Sequence, residues 1–128
     1  MSKRSDNRLV NFFFSLQNQI RVYHWQTNSY ARHKATDGLL GKLDDNVDKF
    51  MEVYQGKYGK LKIGSNPIET ASGHLTDDQS ILYLKEAIKF LSSLESEGIL
   101  SSKDTDLLNI RDEIVGDINQ TLYLFTFM

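Results

Sequence analysis

The chain of 128 residues contains no cysteine. Disulfide bonds, thiolate catalysis, zinc ribbons and iron–sulfur clusters are therefore excluded. Any metal site in this chain must be built from histidine, aspartate and glutamate. Those donors suit iron, manganese or zinc better than softer ions. The missing cysteine thus limits both the redox chemistry and the ligand set.

Long apolar runs and an excess of charge are also missing. No run of about 18 apolar residues occurs, so no membrane span is expected. The basic start is not followed by a long apolar segment, which argues against a signal peptide and favours a cytoplasmic location. The formal net charge is −2, and Lys3, Arg4 and Arg8 are too few to form a strong DNA-binding arm. Nucleic-acid binding is therefore not expected, and no phosphate loop or Ser-His-Asp motif indicates hydrolysis.

Proline is nearly absent, which favours long helices. The one proline, Pro67, lies in a turn-rich segment, "GKLKIGSNPIETASGH". On either side, apolar residues recur at steps of three and four, the period of an amphipathic helix. We predict four helices, at about Asp6–Thr27, about Ala31–Gly56, from an N-cap at Thr76 to near Gly98, and from about Ser102 onwards.

The lengths of the connections predict how these helices pack. The first pair and the second pair are each joined by a few residues, so each should form an antiparallel hairpin. A long connection, residues 57–75, separates the two hairpins. Two hairpins joined by one long crossover is the ferritin-like arrangement of a four-helix bundle. The sequence therefore predicts a single all-α, ferritin-like domain over residues 1–128.

One stripe of the second helix carries metal-ligand residue types. With 100° per residue, His33, Asp37, Asp48 and Glu52 fall within about 100° of one another, beside the apolar face. His24 holds a similar position near the end of the first helix. The two pairs on the second helix are about 16 to 22 Å apart along its axis, so one chain cannot close them into one site.

A twofold axis would bring the two pairs together. If two copies of the second helix cross antiparallel near residues 42 and 43, His33 and Asp37 of one copy face Asp48 and Glu52 of the other. Such an isologous homodimer has two equivalent sites. Gly38 and Gly41 lie near this crossing and would permit close approach of the helices.

These residues resemble the Dps proteins, or mini-ferritins. The resemblance rests on "HW" near the end of the first helix, then H-x3-D, then D-x3-E, and covers about residues 20–56. It implies a ferroxidase site between two subunits, with Trp25 beside it. The implied metal ligands are His24, His33 and Asp37 from one subunit and Asp48 and Glu52 from the other, with Glu52, Asp48 and His33 the implied catalytic residues.

The resemblance also implies an activity and an assembly. Family members oxidise Fe(II) with H2O2 or O2, detoxify iron and peroxide under oxidative stress, and many store the ferric mineral in a twelve-subunit shell. For this chain a dimer is the safer expectation, and the dodecamer stays open. The same region also resembles, more weakly, small helical proteins encoded by viruses.

Two other functions compete with a ferroxidase. An isolated H-x3-D or D-x3-E pair is most often a solvated surface, and the chain would then be a non-catalytic helical scaffold or interaction protein. A redox-inert zinc- or manganese-binding protein is the second. An intramolecular di-iron site on the fourth helix at Asp112, Glu113 and Asp117 is disfavoured, because neither the third nor the fourth helix contains histidine. His74 is expected to face water.

Overall fold

A computed structural model of the chain describes residues 6–63, 68, 70 and 72–127. Within these residues it contains α1 (Asp6–Gln26), α2 (Tyr30–Tyr58), α3 (Asp77–Ser92) and α4 (Thr105–Leu124), and no strand. The expected all-α four-helix bundle is confirmed. The basic residues Lys3 and Arg4 and the turn proline Pro67 lie outside the described residues.

Side-chain caps explain where α2 and α3 begin. The Ser29 hydroxyl accepts from the backbone N–H of Arg32 at 3.2 Å. Thr76 and Gln79 form a reciprocal capping box, as an N-cap at Thr76 predicts. These bonds satisfy backbone donors that have no partner inside the helix.

Two helix boundaries differ from the prediction. α3 ends at Ser92 rather than near Gly98, and residues 93–98 continue as turns. Gly98 does end this segment, with φ +71° and a bond from the Ile99 N–H to the Leu94 carbonyl. α4 begins at Thr105 rather than about Ser102. The Asp104 carboxylate accepts from the backbone N–H of Ser101 at 2.8 Å and does not cap the first turn of α4.

Contacts between the helices confirm two antiparallel hairpins joined by a long crossover. The start of α1 lies beside the end of α2 and the end of α3, and α2 runs antiparallel to α4. The contacts that show this are Asp6–Tyr54, Gln17–Asp44, Phe12–Phe90, Asn46–Asp117 and Lys57–Asp106. The last turns of α1 and α4 and the first turns of α2 and α3 therefore meet at one end of the bundle, called the histidine end below.

The predicted apolar stripes form the core. On α1 and α2 the residues of the stripes are buried except for Met51, which is half-buried; the buried residues are Leu9, Phe13, Leu16, Ile20, Tyr23, Leu39, Leu40, Leu43, Val47, Phe50 and Tyr54. On α3 and α4, Ile81, Ile88 and Leu122 are half-buried, and the buried residues are Leu84, Leu91, Leu107, Ile110, Ile114, Ile118 and Phe125. Phe13 and Phe50 meet edge to face at 5.1 Å in the centre. No helix of the described residues is both long and apolar enough to cross a membrane.

Candidate functional site

Two histidines stack on each other at the histidine end. His24 comes from the last turn of α1 and His33 from the first turn of α2. Their ring centroids are 3.9 Å apart, and the ring planes differ by 16°. The short loop between the helices holds the two rings together. The structure thus brings together the two predicted histidine ligands.

Reciprocal hydrogen bonds fix the tautomer of both rings. The His24 Nδ1 lies 2.9 Å from the His33 carbonyl oxygen, and the His33 Nδ1 lies 2.8 Å from the His24 carbonyl oxygen. A carbonyl oxygen only accepts, so each Nδ1 must carry the proton and donate it. In the neutral rings, each Nε2 then keeps its lone pair. An imidazole held at one nitrogen by a carbonyl is the usual state of a metal-binding histidine.

Thr36 completes the support of the pair. Its hydroxyl oxygen lies 2.9 Å from the His24 Nδ1, and the hydroxyl donates to the Arg32 carbonyl at 2.8 Å. His24 is 9% exposed and His33 is half-buried. The His24 ring is therefore held by contacts on α2 rather than by its own helix. Sequence analysis missed Thr36, although a threonine on the apolar face of α2 was a usable signal.

Asp37 does not join the histidines within one chain. It lies one turn beyond His33 on α2 and is exposed. Among the described residues, no three histidine, aspartate or glutamate side chains converge in a way that could hold a metal ion. One subunit therefore brings two imidazole rings together, with the exposed Asp37 one turn further along α2.

Asp48 and Glu52 lie in the second half of α2, where both are exposed. Within the described part of the chain, neither carboxylate accepts a side-chain hydrogen bond or forms an ion pair. Gly38 and Gly41, between the two halves, are exposed, and a Cβ added to either would meet nothing within 4 Å. The middle of this helix face is therefore open to another helix.

A buried arginine lies beside the histidines, and sequence analysis missed it too. Arg32, 5% exposed, donates from Nη1 to the Tyr23 hydroxyl at 2.9 Å and to the Asp77 carbonyl at 3.0 Å. Its guanidinium lies 4.6 Å from the centre of the Phe125 ring. These contacts join all four helices, since α4 ends just before Phe125. The signal in the sequence was an arginine at about 260° on the helical wheel, inside the apolar face of α2.

The other end of α2 is fixed by an ionic cluster. The Lys57 ammonium lies 2.6 Å from a carboxylate oxygen of Asp104, which is 4% exposed. The Tyr58 hydroxyl donates to the same carboxylate at 2.6 Å. The hydrogen bond with Asp104 raises the pKa of Lys57 above its ordinary value and raises that of Tyr58 as well. The cluster ties α2 to the start of α4, away from Asp48 and Glu52 on the outer stripe.

The remaining side chains do not join the histidine pair into a larger cluster of ligands. Trp25, which the resemblance placed beside the site, is 70% exposed, and Tyr30, at the start of α2, is 73% exposed, so neither packs in the core. On α4, Asp112 accepts from Arg111 and Asp117 accepts from Asn46, and they do not converge. His74 is exposed, as expected.

Comparison with known proteins gives a family but no activity. A model of a family of unknown function, DUF5856, matches residues 24–125. The chain is 33% identical over 105 residues to an uncharacterised 14.6 kDa protein from the mobD–ri intergenic region of Enterobacteria phage T4. That match spans 80% of this chain and 73% of the phage protein. No solved structure matches the chain.

These matches overturn the resemblance to Dps proteins. The family model covers all five predicted ligands, His24, His33, Asp37, Asp48 and Glu52, yet it is not a ferritin or Dps family. The assignment was wrong because H-x3-D and D-x3-E repeat at the ordinary period of an exposed helix face. Short motifs at that spacing arise in unrelated helical proteins.

Proposed function

The chain belongs to the DUF5856 family, and from its own geometry we propose that this member binds a divalent transition metal at two equivalent sites between the subunits of a homodimer. His24 and His33 of one subunit supply nitrogen, with Asp37 beside them. Asp48 and Glu52 of the second subunit supply oxygen. The observation that carries the proposal is the stacked histidine pair, in which each Nδ1 is held by a carbonyl and each Nε2 is left with its lone pair.

The second subunit is needed because the described residues of one chain do not bring together a complete ligand set. The axial separation of about 16 to 22 Å between the two halves of the stripe is too long for one ion and suits a twofold crossing near residues 42 and 43. Three carboxylates facing one another repel, and a divalent cation removes that repulsion. Metal binding and pairing of the subunits should therefore strengthen each other.

Iron is the first metal to test, with zinc and manganese next, because mixed imidazole and carboxylate donors suit all three. Fe(II) would act as a substrate: two Fe(II) ions each give one electron to one H2O2, which takes up two protons and leaves as two waters. O2 is the other oxidant to test. The expectation of oxidation came from the resemblance that the family match overturned, so it stays a prediction. A cytoplasmic location and assembly beyond the dimer stay predictions too.

The test is an anaerobic titration of the metal-free protein with Fe(II), followed by Zn(II) and Mn(II) on separate samples. We expect saturable binding of about two ions or fewer per subunit and a rise in dimer mass by light scattering. His33→Ala should weaken binding at least tenfold, whereas the matched control His74→Ala should leave it unchanged. Equal binding by the wild type and both variants would show that the histidine pair is not the site. A pulse of peroxide or air then tests oxidation separately.

A second function, that of a non-catalytic interaction protein, is favoured by the exposed aromatic residues at the histidine end. Trp25, Tyr30, Tyr123 and Phe127 are 70%, 73%, 62% and 50% exposed. Large exposed apolar side chains grouped at one end are typical of contact surfaces. No metal uptake above a nonspecific background, in a protein that still dimerises, would favour this function over metal binding.

A further inference from the structure

One face of the α1–α2 hairpin is apolar at both ends. On α1, Phe14, Arg21 and Trp25 fall within about 40° of one another around the helix axis. On α2, Tyr30 falls within the stripe that carries Asp37 and Asp48. The exposed aromatic residues Trp25 and Tyr30 therefore lie at one end of the face that holds the proposed metal ligands.

The other end of this face is a groove. Its walls come from the first half of α1, the second half of α2 and the start of the crossover, and it is lined mainly by Val10, Phe13, Phe14, Asp48, Met51 and Ile63. Phe14 is 48% exposed there. The surface is called the Phe14 groove below. It offers apolar walls with two carboxylates, those of Asp44 and Asp48, in its lining.

The two ends are equally far from the proposed twofold axis. Gln17 contacts Asp44, and His24 contacts Thr36, so these pairs lie at the same height along the antiparallel helices α1 and α2. Trp25 therefore lies at the height of Ala35. A twofold axis between residues 42 and 43 brings Ala35 of one copy to the height of Phe50 in the second copy. Phe50 lies next to Met51, in the wall of the Phe14 groove.

We propose that Trp25 and Tyr30 of each subunit pack into the Phe14 groove of a second copy of the chain. The inference rests on the twofold dimer of the proposed function and names the apolar contact that holds it together. A twofold axis in the plane of the interface packs α1 against α1 and α2 against α2 of the second copy. The two aromatic residues of each subunit then meet the Phe14 groove of the other subunit. The dimer is then held by apolar contacts at the same two levels along α2 as the proposed metal ligands, with Asp48 shared between groove and metal site.

Charge supports the second copy as the occupant. Lys34 is exposed and lies 5.8 Å from the centre of the Tyr30 ring. In the same twofold arrangement it comes level with Met51, between Asp48 and Glu52 of the second copy. A lysine beside Asp48 and Glu52, which have no side-chain partner among the described residues, offsets the repulsion between these carboxylates and Asp37. It favours this register over a parallel one, which would place Lys34 beside its own copy in the partner.

The experiment uses Trp25 itself, since it is the only tryptophan in the chain. Sedimentation velocity and tryptophan emission are measured on the metal-free protein over a range of concentrations. We expect dimerisation to shift the emission to shorter wavelength and to reduce quenching by iodide. Phe14→Lys should raise the dimer dissociation constant at least tenfold. The control Leu82→Lys, at a 63% exposed position on α3, should leave it unchanged. Circular dichroism confirms that both variants stay folded.

The outcomes separate this inference from the proposed metal site. A dimer whose Trp25 stays fully open to iodide, or that ignores Phe14→Lys, would overturn the apolar contact and leave an inter-subunit metal site standing. A chain that stays monomeric with and without Zn(II) would overturn both the contact and the shared site. If that monomer still bound Zn(II), and His33→Ala abolished the binding, the metal site would be the histidine pair of a single subunit.

Discussion

The histidines at the turn between α1 and α2 and the acids in the second half of α2 are held in different ways. At the turn, hydrogen bonds to backbone carbonyls and a hydroxyl fix His24 and His33 before any ligand binds. In the second half, Asp48 and Glu52 extend into solvent with no side-chain partner among the described residues. The nitrogen half of the proposed site is therefore preorganised, and the oxygen half must be ordered by what it binds.

The difference follows from where each half lies along a helix. The last carbonyls of a helix have no partner inside it, so the end of α1 has the His24 carbonyl free for the His33 ring. Along the middle of α2 each backbone N–H already donates to the carbonyl four residues before it, so a carboxylate there finds no free backbone donor. An exposed carboxylate there finds only water or a neighbouring subunit. Histidines near a helix–helix turn can thus be fixed by the fold, whereas acids at mid-helix cannot.

Removing Arg32 should have the largest effect, because it supports the histidine half. Arg32→Ala removes bonds to Tyr23 and Ser80 and the stacking on Phe125 from a buried position. We expect a loss of about 2 to 4 kcal/mol in the free energy of unfolding. Arg21→Ala, at an arginine that is 44% exposed, should cost less than about 0.5 kcal/mol.

Urea unfolding of the two arginine variants, followed by circular dichroism, measures this difference. Similar small losses for both would show that the contacts of Arg32 contribute little. The Tyr23 and Ser80 hydroxyls would then be satisfied equally well without it.

Substituting the ligands themselves compares the two halves directly. In metal-free protein kept dilute, His24→Ala should lower the free energy of unfolding by about 1 to 2 kcal/mol, since it removes a buried donor and the stacked ring. Glu52→Ala should change it by less than about 0.5 kcal/mol, because an exposed carboxylate without a partner contributes little. Thermal unfolding followed by circular dichroism measures both. A larger loss of stability for Glu52→Ala than for His24→Ala would show that the acids, and not the histidines, are held in place by the free protein.

The helices were predictable because their cause is local. The apolar stripes of α1 and α2 follow the helical period, and the Thr76 cap is a sequence signal. The early end of α3 was not predictable, since the Ser93 hydroxyl bonds back to the Phe90 carbonyl, and Leu94 still continues the apolar pattern. At the start of α4 the Asp104 carboxylate accepts from the Ser101 N–H and is also bound by Lys57, and the second contact joins residues too far apart in the chain to be read from the sequence.

The candidate site was predictable only in part. The spacing correctly placed His24 and His33 at the same end of the hairpin. It did not reveal that each ring donates to the other residue's carbonyl, because that geometry depends on how tightly the loop closes. Arg32 and Thr36 were missed although a polar residue inside the apolar face of α2 was a signal for each. The family could not be read from spacing, because one helix period produces the same short motifs in unrelated chains.

The smallest predicted effect compares free carboxylates with a paired one. Glu95 accepts two bonds from Arg111, at 2.8 Å and 3.1 Å, and these bonds lower its pKa from 4.5 to about 2. A carboxylate with a lowered folded-state pKa stabilises the fold above its unfolded-state pKa. That stability is lost as the pH falls from about 4.5 towards 2. Glu95 is 36% exposed, so screening by water keeps the contribution at about 1 kcal/mol or less.

Glu95→Gln should therefore lower the melting temperature at pH 7 and reduce its fall between pH 4.5 and 2. The same substitution at Glu52 should leave the melting temperature of metal-free protein at pH 7 unchanged, because that carboxylate has no side-chain partner among the described residues. Circular dichroism measures the melting temperatures of both variants at pH 7, and that of Glu95→Gln down to pH 2. Should Glu52→Gln lower the melting temperature at pH 7 as much as Glu95→Gln, Glu52 would be bound within the free protein, and the oxygen half would be ordered before any metal or second subunit arrives.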